Sequence, residues 1–263
     1  MSHRLYIVTG KGGVGKTSLA IALAKKLKAQ GKKVLYNSFD QEDQTKICSD
    51  LETPSLHLEL EKSAEIYMGK KLGSEMVASW IMKTPFFKSL FNMIPGLGHM
   101  ILLGHIIDLL EDDPELVIVL DSPSSGHAMT MFESSHNFKE IFGSGLLVED
   151  INRMHRFIYA QNVLKNYIVS LPTKMALNEA KEVREHLQNL NFTSTEIIIN
   201  DCLSPVLAAK EDLPEFLKIK NDLENEVISE YQDITSHKIA HSLGEDFQSV
   251  IDDLSAEKIG VLI

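Results

Sequence analysis

Gly10-Lys11-Gly12-Gly13-Val14-Gly15-Lys16-Thr17 constrains this chain more than any other stretch. It lies directly between an apolar run, Leu5 to Val8, and a helical pattern from Lys16 to Ala29 that Gly31 closes. The glycines let backbone amides turn inward where a Cβ would block them. A helix opening straight after them adds the positive end of its dipole, so the loop is built to face an anion. Strand, tight turn and helix in immediate succession form the opening half of a strand–helix–strand unit.

The rest of the chain repeats that rhythm. Apolar runs at Val34 to Phe39, Leu116 to Leu120, Tyr167 to Leu171, Glu196 to Ile199 and Ile234 to Ala240 read as further strands. Continuous apolar strands separated by helices predict an α/β domain with a mostly parallel central sheet covered on both faces. The Asn189–Asn191 region supplies a turn, and Glu245 to Asp253 reads as a final amphipathic helix. Residues 58–113 break the pattern with no convincing strand, only helical stretches punctuated by Gly73, Pro85 and Pro95-Gly96. That segment is expected to be a helical insertion or subdomain within a single domain spanning 1–263.

The octapeptide satisfies G-x-x-x-x-G-K-[ST], the P-loop pattern, and each position has a task. Gly10, Gly12, Gly13, Val14 and Gly15 would wrap a β-phosphate with backbone amides. Lys16 supplies a point charge between β- and γ-phosphates, Thr17 offers a hydroxyl to Mg²⁺, and Ser18 is expected among the nucleotide-binding residues. Asp121, ending the apolar run from Leu116, occupies the place of the acidic residue that holds Mg²⁺ through its water shell. The implied fold is a P-loop NTPase, with ATP and Mg²⁺ as expected cofactors.

A second lysine, Lys11, follows the first glycine. In Lys-Gly-Gly-x-Gly-Lys-Thr it resembles the signature lysine of the deviant Walker A ATPases, in which that lysine reaches the partner subunit's nucleotide. The run Asp121-Ser122-Pro123-Ser124-Ser125-Gly126-His127 resembles switch II of the arsenite-transporting and tail-anchored-protein-targeting ATPases, with Gly126 and His127 matching and the proline displaced by one place. Asp40, after Asn37-Ser38-Phe39, falls where that family has the switch I aspartate that orients the attacking water. Asn200 falls where it has the asparagine that recognises adenine, and Pro172 with Glu179 also matches its pattern. The resemblance implies a dimeric MgATP-dependent switch that acts on a protein or membrane client. The dimer would be two copies of this chain, or one copy with a related ATPase.

The departures matter as much. Gln41-Glu42-Asp43 replaces the family's Pro-Ala-His, bringing two additional carboxylates toward the γ-phosphate. At an effective dielectric of about 20, like charges 6 Å apart repel by roughly 3 kcal/mol. Hydrolysis is therefore expected to be slow or absent unless those side chains turn away or reach the metal. An ATP-binding scaffold, or the weaker half of a heterodimer, is the alternative. Only Cys48 and Cys202 are present, so neither the shared zinc site nor the arsenite cysteine triad of the family can be built. His237 and His241 lack a third ligand and read as ordinary histidines.

Twenty-six basic against 37 acidic residues give a net charge of −11, which argues against a nucleic-acid partner. An acidic segment from Glu245 also disfavours a third reading, the partition or septum-positioning ATPases, which would use a basic face or a basic amphipathic helix. Neither a signal-peptide core after Met1-Ser2-His3-Arg4 nor an apolar run long enough to span a bilayer is visible, so a cytoplasmic protein is expected. Residues 68–110 carry Met68, Met76, Met82, Met93 and Met100 among Trp80, Phe86, Phe87, Leu90, Phe91, Leu97, Ile101 and Leu102. Two readings stand for this stretch: core packing of helices on the sheet, or an adaptable surface for a hydrophobic client.

Overall fold

The computed structural model describes residues 3–39, 44–85, 89, 93, 96–123, 133, 144–208 and 213–262. Asp40, Gln41, Glu42 and Asp43 of the expected switch I lie outside them, as do Ser124, Ser125, Gly126 and His127 of the expected switch II. So do Phe86, Phe87, Leu90, Phe91 and Pro95.

Six strands form one sheet: β1 (Leu5–Gly10), β2 (Lys33–Asn37), β3 (Leu116–Asp121), β4 (Leu164–Ser170), β5 (Thr195–Cys202) and β6 (Thr235–Ala240). Their order is β2-β3-β1-β4-β5-β6, and every pairing is parallel. Among the described residues the α-helices are α1 (Lys16–Ala29), α2 (Thr45–Asp50), α3 (Leu60–Leu72), α4 (Glu75–Met82), α5 (Leu97–Asp112), α6 (Leu146–Ile158), α7 (Lys174–Asn189), α8 (Ser204–Leu207), α9 (Glu215–Glu230) and α10 (Phe247–Asp253).

Alternation along the strands sorts the core into two layers. Leu5 and Ile7 of β1, with Leu116, Ile118 and Leu120 of β3, face a cluster that includes Ala64, Tyr67, Ile101, Ile151 and Leu177. Tyr6, Val8, Val117 and Val119 face the opposite cluster, built on Leu19, Leu23 and Leu27 of α1 together with Ile251 and Leu262. Period-two side chains on strands buried from both sides produce this division. Cys202 belongs to the first cluster and Cys48 to the second, so the two thiols lie on opposite faces of the sheet.

Each strand differs from the sequence reading at one end or both, and β5 runs on through Asn200 to Cys202; at β2 and β4 the cause is visible. β2 stops at Asn37 and not at Phe39, because Asn37 Oδ1 accepts the Phe39 N–H at 2.9 Å and Phe39 turns to φ 55°. That side-chain acceptor competes with the ladder, as short polar side chains do at strand ends. β4 begins three residues early, at Leu164, because Lys165 and Asn166 keep pairing with β1 despite their polarity. The outer edge of β2 is covered where Tyr36 N–H donates to Pro54 O and Leu56 N–H to Tyr36 O, each at 2.8 Å. Such a cover protects an otherwise open edge.

Between β2 and β3, the described residues form α2 to α5. Ala64, Tyr67 and Met68 of α3, Ala78 of α4 and Leu97, Met100, Ile101 and Leu102 of α5 enter the same buried cluster as β1 and β3. Their outer neighbours Met76, Val77, Trp80 and Met93 are exposed. One stretch of sequence thus supplies both packed core and open apolar surface.

Candidate functional site

β1 runs into the glycine loop at the centre of the sheet. Gly10 needs its lack of a side chain: at φ 144° a Cβ would collide with the Val169 carbonyl oxygen of β4. Gly15 caps α1 at φ 89°, in the left-handed region. The loop therefore passes close against its neighbours and delivers the start of α1 at the carboxyl edge of the sheet. Parallel α/β sheets bind ligands at this edge.

Lys16 folds back over the loop, and its Nζ donates to Lys11 O at 3.0 Å. The side chain is largely buried, and burial lowers its pKa while Asp121 pulls in the opposite direction. It is positioned as a partly desolvated cation facing the loop interior, where a phosphate charge would be felt strongly.

Val8 of β1 stands in register with Asp121 of β3, which brings the carboxylate beside the loop. Asp121 is 1% exposed and accepts hydrogen bonds at Oδ2 from Thr17 Oγ1 at 2.7 Å and from the Tyr36 hydroxyl at 3.1 Å. Burial and then the Asp121 charge push the Tyr36 pKa up, so the phenol stays protonated and keeps donating. Thr17 and Asp121 come from separate motifs, 104 residues apart, and the fold brings them into contact. A threonine hydroxyl and a buried carboxylate are hard oxygen donors of the kind Mg²⁺ accepts, so the residues present fit that ion. Ser122 follows; its N–H donates to Val8 O at 3.0 Å, and its buried Oγ has no partner among the described residues.

Tyr36 was not among the sequence-derived candidates. No motif marks it, since a tyrosine within an apolar strand reads as core, and only the β2–β3 pairing carries its hydroxyl to Asp121. Lys11 is half-exposed, with Nζ 3.1 Å from Glu179 Oε2 on α7. Asn200, near the end of β5, directs its amide at the loop: Nδ2 donates to Val14 O at 2.9 Å. Beside it, Asp201 holds φ 64° and its Oδ1 lies 2.5 Å from His241 Nδ1. His237 pairs instead with Glu196, nearer the amino end of β5. Among the described residues, no helix is long and apolar enough to cross a membrane.

Comparison with known proteins places the chain in a family. Residues 3–146 match the family model described as anion-transporting ATPase. The chain is 22% identical over 275 residues to a putative arsenical pump-driving ATPase of Aquifex aeolicus, covering 87% of this chain and 88% of that one. It is 24% identical over 294 residues to ATPase GET3C of Arabidopsis thaliana, covering 84% and 75%. It is also 24% identical over 222 residues to ATPase BagA of Mycobacterium tuberculosis, covering 75% of this chain but only 64% of that relative's length. The matched span takes in β1, the glycine loop, α1 and Asp121, and with more than half of the sequence inside it the chain belongs to the anion-transporting ATPase family.

Proposed function

We propose that this protein is a MgATP-dependent ATPase switch that closes as a dimer on nucleotide and acts on a protein or membrane client in the cytoplasm. The observation that carries the reading is the Thr17–Asp121 pair beside the buried Lys16. Backbone amides of residues 10–15 would hold the polyphosphate, with Lys16 neutralising charge between the β- and γ-phosphates. When bound, Mg²⁺ would add charge neutralisation of the same phosphates. Thr17 would offer it a direct oxygen, and Asp121 would hold its water shell. Hydrolysis adds water to the terminal phosphorus and breaks its bond to the bridging oxygen, releasing ADP and phosphate. Asp40 would orient that water, and Lys11 would reach the nucleotide of the other subunit.

The exposed Met76, Val77, Trp80 and Met93 support a client surface on the helical segment between β2 and β3. Methionine-rich apolar surfaces accommodate varied partners because the side chain is flexible and polarizable. A second reading, an ATP-binding scaffold or the weaker half of a heterodimer, is favoured by Gln41-Glu42-Asp43 in the sequence. One experiment separates the two: ATP turnover with and without Mg²⁺, read together with the solution mass in ADP and in a non-hydrolysed ATP analogue. Mg²⁺-dependent turnover with analogue-dependent doubling of mass supports the switch. Tight ATP binding without turnover supports the scaffold.

A further inference from the structure

Asn200 touches the glycine loop in two ways. Its Nδ2 donates to the Val14 carbonyl at 2.9 Å, and the same nitrogen occupies the space that a Cβ on Gly15 would need. These contacts meet at one peptide unit, Val14–Gly15. A trans peptide is planar with its C=O and N–H pointing in opposite directions. Holding the Val14 carbonyl therefore aims the Gly15 N–H away from Asn200. Gly15 is also the cap of α1, and its carbonyl accepts the Leu19 N–H at 3.0 Å. Both flanks of that residue are thus tied, one by Asn200 and one by the helix.

We propose that Asn200 is a positioning residue for phosphate binding: it braces the Val14–Gly15 peptide so that the Gly15 N–H is already aimed at an anionic phosphate. The inference rests on reading residues 10–17 as the nucleotide site. It differs from the adenine-recognising role that family resemblance gives Asn200. A base reader acts on the ring and discriminates among bases. A brace acts through the loop and is felt by any polyphosphate, whatever base it carries. Pre-aimed donors bind more tightly because less order must be created on binding.

The test uses the full chain with Asn200→Ala and Asn200→Ser, both small enough to leave Gly15 unhindered. Affinities for MgATP, MgGTP and inorganic tripolyphosphate are measured by calorimetry. Amide hydrogen exchange across residues 13–18 is followed without ligand. Losing one ordinary hydrogen bond should weaken all three ligands alike, by roughly fivefold to tenfold, and speed exchange at Gly15 and Lys16. Loss confined to MgATP, with tripolyphosphate affinity and exchange unchanged, overturns the brace in favour of base reading. Wild-type affinities in both variants overturn it as well. A wild-type protein that binds no nucleotide defeats the proposed function alone, and the exchange comparison then decides whether Asn200 braces the loop.

Discussion

Lys11 Nζ lies 3.1 Å from Glu179 Oε2, so within a single chain this lysine is held by a carboxylate of its own α7. Both side chains are partly solvent-exposed, and exposed pairs of this kind contribute about 0–1 kcal/mol. The contact is weak enough to be exchanged for a phosphate on a second subunit. Glu179→Gln should accordingly leave thermal stability within about 1 kcal/mol of wild type and dimerise with ATP at least as readily. Lys11→Ala should retain ATP binding yet lose most turnover, whereas Lys16→Ala should lose binding itself. Equal ATP affinity in the two alanine variants would contradict the division of labour between these lysines.

Tyr36 offers a test of how Asp121 is held. Tyr36→Phe removes a hydroxyl donor from a carboxylate that is 1% exposed, leaving Thr17 as a remaining donor. The expected loss of folding stability is about 1–2 kcal/mol, in the range for a weakened buried hydrogen bond. Affinity for MgATP should fall with it, because Asp121 then loses part of its orientation. A urea titration and a nucleotide titration on the same preparation check both. An unchanged unfolding midpoint would mean that the phenol is incidental.

Much of this architecture was legible in the residues. The apolar runs marked all six strands, and the pattern from Lys16 to Ala29 gave α1 with both ends right. Gly31 follows that helix at φ 79°, the left-handed turn its position suggested. What could not be read depended on partners distant in sequence. Lys165 and Asn166 look like loop residues until β1 pairs with them. Tyr36 looks like core until β3 brings Asp121 within 3.1 Å. Asn200 stood out in the sequence through its family resemblance, but the direction of its amide toward Val14 did not. Motifs report which groups a loop carries, whereas neighbouring strands decide where those groups point.

A cluster of charges joins α3, α5 and α6. Arg153 bonds to Asp108, Glu111 and Asp150; Lys71 reaches Asp150 at 2.5 Å, and the Tyr67 hydroxyl donates to Asp150. Burial pushes the Asp150 pKa up, and Arg153 partly offsets it. Arg153→Met should destabilise by about 2 kcal/mol, less than the ~3–5 for a lone buried pair, because Lys70 and Lys71 remain. A carboxyl with a raised folded pKa binds protons more tightly when folded. Its effect on stability therefore worsens as pH rises from the ordinary carboxyl value through the raised one. Removing Arg153 raises that value further, so the variant's deficit should be larger at neutral pH than near the ordinary carboxyl pKa. Equal deficits at both would mean that Asp150 does not titrate in that window.

Trp80 is the sole tryptophan and is 72% exposed on α4. Its fluorescence should resemble that of indole in water and be quenched readily by iodide. An apolar helical peptide that occupies this surface should shift the emission to shorter wavelength and protect it from quenching. Trp80→Ala should leave folding stability within about 0.5 kcal/mol, as for surface substitutions generally, while weakening that peptide. Emission that stays water-like at saturating peptide would place the binding surface elsewhere.

β1 is hydrogen-bonded on both sides, to β3 and to β4, and the glycine loop is its direct continuation. The strand cannot detach without tearing the sheet in two, so the loop's geometry survives only while the whole domain survives. A ligand gripping residues 10–17 is therefore coupled to global unfolding and not to a local fraying event. At a free concentration one hundred times its dissociation constant, such a ligand stabilises the folded state by about 2.7 kcal/mol. The melting temperature of the entire chain thus becomes a gauge of nucleotide occupancy, readable without measuring turnover.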